Sequence, residues 1–214
     1  MAKYYPINLC LKNKKCLVIG AGVVAERKIR RLLGSGALVS VVSPVSTPAL
    51  KALWKKKKIV FKNRKFDLRD LSGAYMVIAA TTDRSVNSAA SSYCLKNNIL
   101  VNVVDSPEEC SFILPSVIRR GALTISISTD GVSPALSKKI RQDLDKVFGP
   151  EYADYLRIMK DLRPKVREKI KNMKSRKCFF KETLKGQIFD LLRQKKVRQV
   201  KIKLERILKN AKVS

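Results

Sequence analysis

An α/β fold, a parallel sheet followed by a smaller helical part, is predicted by a few features of the 214-residue sequence. Cys16-Leu17-Val18-Ile19 is a short continuous apolar run, suited to a strand buried on both faces. Gly20-Ala21-Gly22-Val23-Val24-Ala25 follows at once as a G-x-G-x-x-A turn. A helix starts there, with Val24, Ile29, Leu32 and Leu33 on one face and Glu26, Arg27, Lys28 and Arg30 on the others. Gly34 and Gly36 end it, and Leu38 to Val42 reads as the next strand. Together they make one βαβ unit of about 30 residues. From Glu151 onward the strand pattern disappears.

The turn carries chemistry of its own. Gly20 permits the tight bend, Gly22 lets backbone approach a pyrophosphate, and Ala25 keeps helix and strand close. Val23 and Val24 open a helix whose first N–H groups face an anion. These features predict a dinucleotide site of the Rossmann kind. The second strand ends in Val42-Ser43-Pro44, without the acidic residue that usually holds an adenine ribose. Hydroxyl and backbone contacts from Ser43, Pro44 and Val45 are assigned that role. No arginine stands there for a 2′-phosphate, so NAD is favoured over NADP.

The remaining elements follow in order. Tyr5 to Leu9 is expected to be a lead-in strand at the sheet edge. Pro48 to Trp54 reads as a short helix, Lys55 to Lys58 as a solvated turn and Ile59 to Phe61 as a third strand. Asp67 to Leu71 is a turn or short helix before the buried strand Ala74 to Ala80. That strand ends in Thr81-Thr82-Asp83, where a sheet's carboxyl edge would meet a cofactor, so Thr81 and Thr82 are candidate cofactor ligands. Asp83 caps a helix carrying Val86, Ala89, Ala90 and Tyr93, which Asn97-Asn98 closes. Leu100 to Val104 is the next strand, with Asp105 just past its end. Leu123 to Ser128 alternates like a half-buried strand, and Ser133-Pro134 opens a helix that stops before Gly149-Pro150. Beyond it, Tyr155, Ile158, Met159 and Leu162 make a helical stripe, Ile188, Leu191 and Leu192 another, and Ile202, Leu204, Ile207 and Leu208 a last. Met173 to Lys177 is expected to be a linker.

Composition narrows the chemistry. There are 46 Lys+Arg against 17 Asp+Glu, a formal net charge of +29. Nucleic acid, a solvated lysine-rich surface and a polyanionic substrate all fit that charge. The sequence contains no histidine, which excludes Ser-His-Asp and Cys-His catalysis and His-ligated zinc. Acid–base work falls to a carboxylate, lysine, tyrosine or cysteine. The five cysteines form no C-x-x-C pair and are expected to be reduced. No apolar run reaches membrane-span length and no signal-peptide core is seen at the start, so a cytoplasmic protein is expected.

Four segments, VIGAGVVAERK (Val18 to Lys28), AATTDRSVN (Ala79 to Asn87), NVVDSPEECSFILPS (Asn102 to Ser116) and ISISTDGVSPAL (Ile125 to Leu136), resemble the precorrin-2 dehydrogenase family. This family includes the N-terminal module of siroheme synthases and their single-function relatives. The resemblance covers roughly residues 1–150 and implies three parts. These are an NAD-binding Rossmann domain over 1–113, a strand-helix dimerisation region over 114–149 and, where only the helical character matches and the residues themselves read as basic helices, a basic α-helical domain over 150–214. It further implies NAD-dependent dehydrogenation of precorrin-2 to sirohydrochlorin in sirohaem biosynthesis, a homodimer, and in some members insertion of ferrous iron as a ferrochelatase. Iron would then be a substrate, and no resident metal site is expected. Ala21 stands where many relatives carry a further glycine, and the tail is more lysine-rich than the family leads one to expect.

Asp105, at the carboxyl end of a sheet strand, is the carboxylate best placed to take a proton, and the resemblance puts the catalytic aspartate there. Candidate substrate contacts are Ser111, Ser116, Arg119, Arg120, Ser128, Thr129 and Gly131; each has a plainer reading as a turn former or solvated group. The alternatives to an enzyme are a non-catalytic tetrapyrrole carrier and an NAD-sensing nucleic-acid-binding protein.

Overall fold

Lys15–Ile19 forms β1, buried from Cys16 onward, in the computed structural model, which describes residues 4–210. Two compact units divide the chain, Met1–Leu114 and Pro115–Ser214. In the first, α1 (Val23–Gly34), β2 (Leu38–Val42), α2 (Pro48–Lys55), β3 (Val60–Lys62), β4 (Met76–Ala79), α3 (Arg84–Lys96) and β5 (Leu100–Val103) follow β1. The strands form one parallel sheet in the order β3-β2-β1-β4-β5. The order reverses between β1 and β4, the switch point at which open α/β sheets take ligands.

Side-chain alternation explains why these strands read as continuous apolar runs. Cys16, Val18, Val39, Val41, Met76 and Ile78 face one core with Ala25, Ile29 and Leu32 of α1 and Leu50 of α2. Leu17, Ile19, Val42, Val77, Ala79, Val101 and Val103 face the other, with Ala90 and Cys94 of α3 and Leu71. Both faces are covered, as a parallel sheet requires. The register pairs Ile19 with Val42 and Ala79, and Ala79 with Val103. Gly20, Ser43, Ala80 and Val104 therefore leave the sheet along a single edge.

The second unit begins with the antiparallel pair β6 (Ser116–Arg120) and β7 (Leu123–Ile127). Helices α4 (Pro134–Val147), α5 (Glu151–Lys169), α6 (Met173–Glu182), α7 (Gly186–Arg193) and α8 (Val197–Asn210) follow. Ser133 caps α4, its hydroxyl accepting from the Leu136 N–H, with Pro134 in the first turn. Tyr155, Ile158 and Met159 pack on Ile188, Leu192, Val200 and Leu204, and a second cluster gathers Val166, Ile170, Phe179 and Leu208. Among the described residues no helix is long and apolar enough to cross a membrane.

Some expectations change. Tyr5 to Leu9 joins no strand, and Tyr5 and Ile7 are exposed; Pro6 has no N–H to give a ladder. Met173 to Lys177 is the start of α6 and no linker. The Asn172 side chain accepts from the Lys174 and Ser175 N–H groups, so the break lies just before it. On α3 the buried face is Asn87, Ala90, Ser91 and Cys94, with Ala89 exposed.

Candidate active site

Gly20 leaves β1 with φ 99°, and its N–H donates to the Val42 carbonyl at 2.9 Å. A Cβ there would stand 2.5 Å from the Ala80 carbonyl oxygen, so the turn seats directly on the end of β4. Only glycine satisfies both conditions. Gly22 differs. It is the residue before α1, offers no side-chain cap, and a Cβ on it would meet nothing within 4 Å. Open space therefore lies in front of the unpaired N–H groups of the first helical turn, including those of Val23 and Val24. That cradle fits a pyrophosphate.

The loop after β2 is tied to this turn. The Thr47 N–H donates to the Ala21 carbonyl at 3.2 Å. Its hydroxyl donates to Glu26 Oε2 at 2.7 Å while accepting from the Leu50 N–H, which caps α2. The Thr47 hydroxyl, and then Arg30, hold the Glu26 carboxyl below its ordinary range. Ser43 is buried and accepts from the Val45 N–H at 3.4 Å, while Pro44 and Val45 stand exposed at the sheet edge. Lys62, the last residue of β3, and Arg64 beyond it are both held by Asp70, at 2.8 and 2.6 Å. Arg64 first, then Lys62, keeps the Asp70 carboxyl well below the usual carboxylate range against the opposing effect of burial.

Thr81 follows β4, and its hydroxyl faces the Asp83 carbonyl and Asn87 Oδ1, at 2.9 and 3.0 Å. Buried Asn87 returns a bond to the Thr81 carbonyl at 3.1 Å. The side chain of Thr81 thus shapes the strand end, and Thr82 beside it is exposed.

Asp105 has φ 61°, the left-handed region that aspartate tolerates at some cost. The next residue, Ser106, is buried, and its carbonyl accepts from the Cys110 thiol at 3.2 Å. Cys110 Sγ also accepts from the Val103 N–H at 3.1 Å, so the thiol closes the loop onto the end of β5. Burial pushes that thiol up. Asp105 itself is exposed and makes no hydrogen bond or ion pair among the described residues. It lines a cleft of about 270 Å³ with Val24, Arg27 and Lys28 of α1, Asn102 to Ser106, Cys110 and Ile113. The free carboxylate and the glycine-turn helix thus share one opening.

The other candidates disperse. Ser111 accepts from the Val101 N–H at 2.8 Å and braces β5. Ser116, Arg119, Arg120, Ser128, Thr129 and Gly131 belong to the second unit. Arg120 is no free clamp: it donates to the Phe148 carbonyl at 2.7 Å, to Asp145 Oδ1 at 2.9 Å and to the Asp145 and Arg119 carbonyls. Ser128 accepts from the Asp130 N–H, Thr129 Oγ1 accepts from the Ser133 N–H, and Gly131 has φ 84°, so these three build the turn into α4. Arg119 is exposed.

A family model described as "Putative NAD(P)-binding" matches residues 7–116, more than half of the chain. The chain belongs to this NAD(P)-binding family. Behind the match come two shorter ones, "Sirohaem biosynthesis protein central" over 120–146 and "Sirohaem synthase dimerisation region" over 151–208. The latter falls on α5 to α8. The chain is similar to the siroheme synthase of Ruthia magnifica subsp. Calyptogena magnifica, 34% identical over 202 residues that cover 94% of this chain and 43% of the relative. It is also similar to the siroheme synthase of Methylococcus capsulatus, 35% identical over 191 residues, 89% of this chain and 40% of the relative. It thus spans less than half the length of these curated relatives. A solved structure of SirC, a precorrin-2 dehydrogenase, matches with a TM-score of 0.80 at 28% identity, over 95% of this chain and 100% of that one.

Within this NAD(P)-binding frame, sequence reasoning missed Lys28, Cys110, Asn87 and Thr47. Lys28 lies in the first motif, where the sequence places it only on a face of the helix other than the apolar one. Its place in the cleft, beside the residues that end and follow β5, is a tertiary neighbourhood that no local pattern reports.

Proposed function

We propose that this chain binds NAD and dehydrogenates precorrin-2 to sirohydrochlorin, with Asp105 as the group that takes the proton. The observation that carries the reading is the unpartnered Asp105 carboxylate in the cleft shared with the glycine-turn helix. Likeness to SirC over the whole of that chain supports the substrate. NAD over NADP is supported by Ser43, Pro44 and Val45 at the ribose edge, while Lys62 and Arg64 are both bonded to Asp70.

In the net reaction precorrin-2 loses a hydride and a proton. NAD supplies the two-electron hydride acceptor. The chain's own groups do the rest. The N–H groups of Val23 and Val24 would hold the pyrophosphate, and Thr47 keeps the loop of Ser43 to Val45 in place. Thr81 and Thr82, past the end of β4, would meet the nicotinamide half. Asp105, in its cleft beside α1, accepts the substrate proton on a carboxylate oxygen and passes it to water. Ser116, Arg119, Ser128, Thr129 and Gly131 are kept as proposed substrate contacts.

The same reading makes the protein a cytoplasmic homodimer, where an NAD pool and reduced thiols are available. It keeps the division into 1–113, 114–149 and 150–214, with the dimer contact formed by the middle part, the helical part or both. Ferrous iron enters as a second substrate if Asp105 also takes the pyrrole protons that metal insertion releases.

Anaerobic incubation with enzymatically generated precorrin-2 and NAD tests this reading. NADH and sirohydrochlorin in equal amounts are expected, and an iron-dependent rise in sirohaem above the rate without protein adds the chelatase. NAD-binding protein that yields neither product rejects the dehydrogenase and leaves the carrier.

A further inference from the structure

The Asp105 cleft has a cationic side as well as an acidic one. Lys28 lies on α1, half-buried, and shares the cleft with Asp105 and Cys110 across from it. It joins no ion pair within 4.0 Å among the described residues. Glu26, on the same helix, is taken by Arg30 and Thr47 and is not available to it. Desolvation lowers its pKa, and Arg27 and Arg31 on its own helix lower it further. Asp105 and Cys110, from the loop after β5, act in the opposite direction and do not overcome this.

A partly desolvated ammonium beside two guanidinium groups is an unfavourable arrangement for the protein alone. It becomes favourable when an anion enters, because the anion meets the charge that water and Asp105 leave unmet. We infer that Lys28 is the anchor for an anionic substituent, a carboxylate, of the substrate whose proton Asp105 removes. The assignment rests on the function proposed above and adds to it a residue that sets orientation. Because Lys28 and Asp105 line one cleft, a carboxylate held at Lys28 brings the rest of the same molecule to Asp105. Lys28 takes no part in the bond changes. It is a positioning residue, and its contribution is made alike in the bound substrate and the transition state, so its loss should raise KM more than it lowers kcat.

The experiment compares the full chain with Lys28→Gln and Lys28→Arg, measuring KM and kcat for precorrin-2 at saturating NAD and the Kd for NAD by direct titration. In Lys28→Gln the KM for precorrin-2 should rise about tenfold or more, the weight of one charge-assisted hydrogen bond, with kcat changed by less and the NAD Kd unchanged. Lys28→Arg should restore most of the affinity. Wild-type kcat/KM should also fall at alkaline pH, over a range below that of an ordinary lysine, and Lys28→Arg should lack that limb. An unchanged KM in Lys28→Gln overturns the inference. So does a weakened NAD Kd at constant KM, which would assign Lys28 to the cofactor. Should the wild type prove inactive, the proposed reaction falls by itself. Sirohydrochlorin binding by the same variants, followed by fluorescence quenching, then decides the anchor separately: loss in Gln and recovery in Arg uphold it, and equal affinity in all three rejects it.

Discussion

The two units treat their polar groups in opposite ways. In Met1–Leu114 the carboxyl edge of the sheet leaves groups open: the helix N-terminus behind Gly22, the Asp105 carboxylate and the Lys28 ammonium. In Pro115–Ser214 the conspicuous polar groups are spent on one another. Arg120 holds the Phe148 and Asp145 carbonyls, Arg193 holds buried Glu151 at 3.1 Å, and Tyr155 meets Thr183 at 2.8 Å. Open polar groups at the edge of a rigid sheet are what a ligand requires, and mutually satisfied ones are what a fold requires. Changes in the first unit should therefore move activity and leave stability alone more often than changes in the second.

The sharpest break of this contrast is at Asp105. Asp105→Asn should reduce turnover of precorrin-2 by about 10²–10⁴-fold, the usual weight of a positioned acid–base group. Since its side chain bonds to nothing among the described residues, Tm and NAD affinity should hold. Steady-state kinetics beside thermal unfolding checks both. Undiminished turnover would remove Asp105 from the mechanism.

Next in size are the two glycines of the turn. Gly20→Ala forces a Cβ to 2.5 Å from the Ala80 carbonyl oxygen at φ 99°. It should destabilise the first unit by more than the roughly 1–2 kcal/mol that the left-handed backbone alone costs. Gly22→Ala meets nothing within 4 Å, so it should leave stability intact while its methyl group stands where the pyrophosphate approaches. Denaturant unfolding and NAD titration together should separate them: Gly20→Ala loses stability, Gly22→Ala loses affinity. Equal stability losses would mean that the turn is scaffold only.

Much of the first unit was legible because its signals are local. The run Cys16 to Ile19, the glycine turn and the strand Leu100–Val103 ahead of Asp105 each state their structure in a few consecutive residues. Asp83 and Ser133 announced their helices as caps, and both bond as caps do. The site was legible only as far as it lies at strand ends. Lys28 enters the cleft through tertiary packing, and the thiol of Cys110 closes the Asp105 loop through bonds to β5 that a lone cysteine does not advertise. In the second unit the start of α6 was hidden, because Met-Lys-Ser-Arg-Lys shows no apolar period until Phe179 and Phe180. The bonds of Arg120 were hidden for a related reason: its partners on Phe148 and Asp145 lie far away in sequence.

Smaller effects test the second half of the contrast. Asp70, in the first unit, is a satisfied group among open ones, with its side chain 2% exposed and bonded to Lys62, Arg64 and the Asp67 N–H. Its carboxyl is depressed in the folded state, chiefly by Arg64. Such a group contributes stability fully above its unfolded pKa, about 3.9 for aspartate. The contribution is lost as pH falls from there through the depressed folded value. Thermal unfolding between neutral and strongly acid pH should therefore show a loss beginning near pH 4 that is smaller in Asp70→Asn, while that variant is the less stable at neutral pH. Parallel curves would mean that Lys62 and Arg64 do not hold this carboxylate in solution.

The least effect belongs to a bond wholly inside the second unit. Tyr155 is 8% exposed and Thr183 is buried; the Thr183 hydroxyl donates to the Phe180 carbonyl at 2.8 Å and so accepts from Tyr155. Burial raises the Tyr155 hydroxyl above its ordinary range, which keeps it the donor. Tyr155→Phe removes that donor and leaves Thr183 with its other partner, so no buried group is orphaned. The loss should be about 1 kcal/mol, the net worth of one neutral hydrogen bond, visible in denaturant unfolding with the NAD Kd unaltered. A change in NAD affinity would mean that the interior of the helical unit bears on the cofactor edge, and the division between open and satisfied halves would then have to be redrawn at Tyr155.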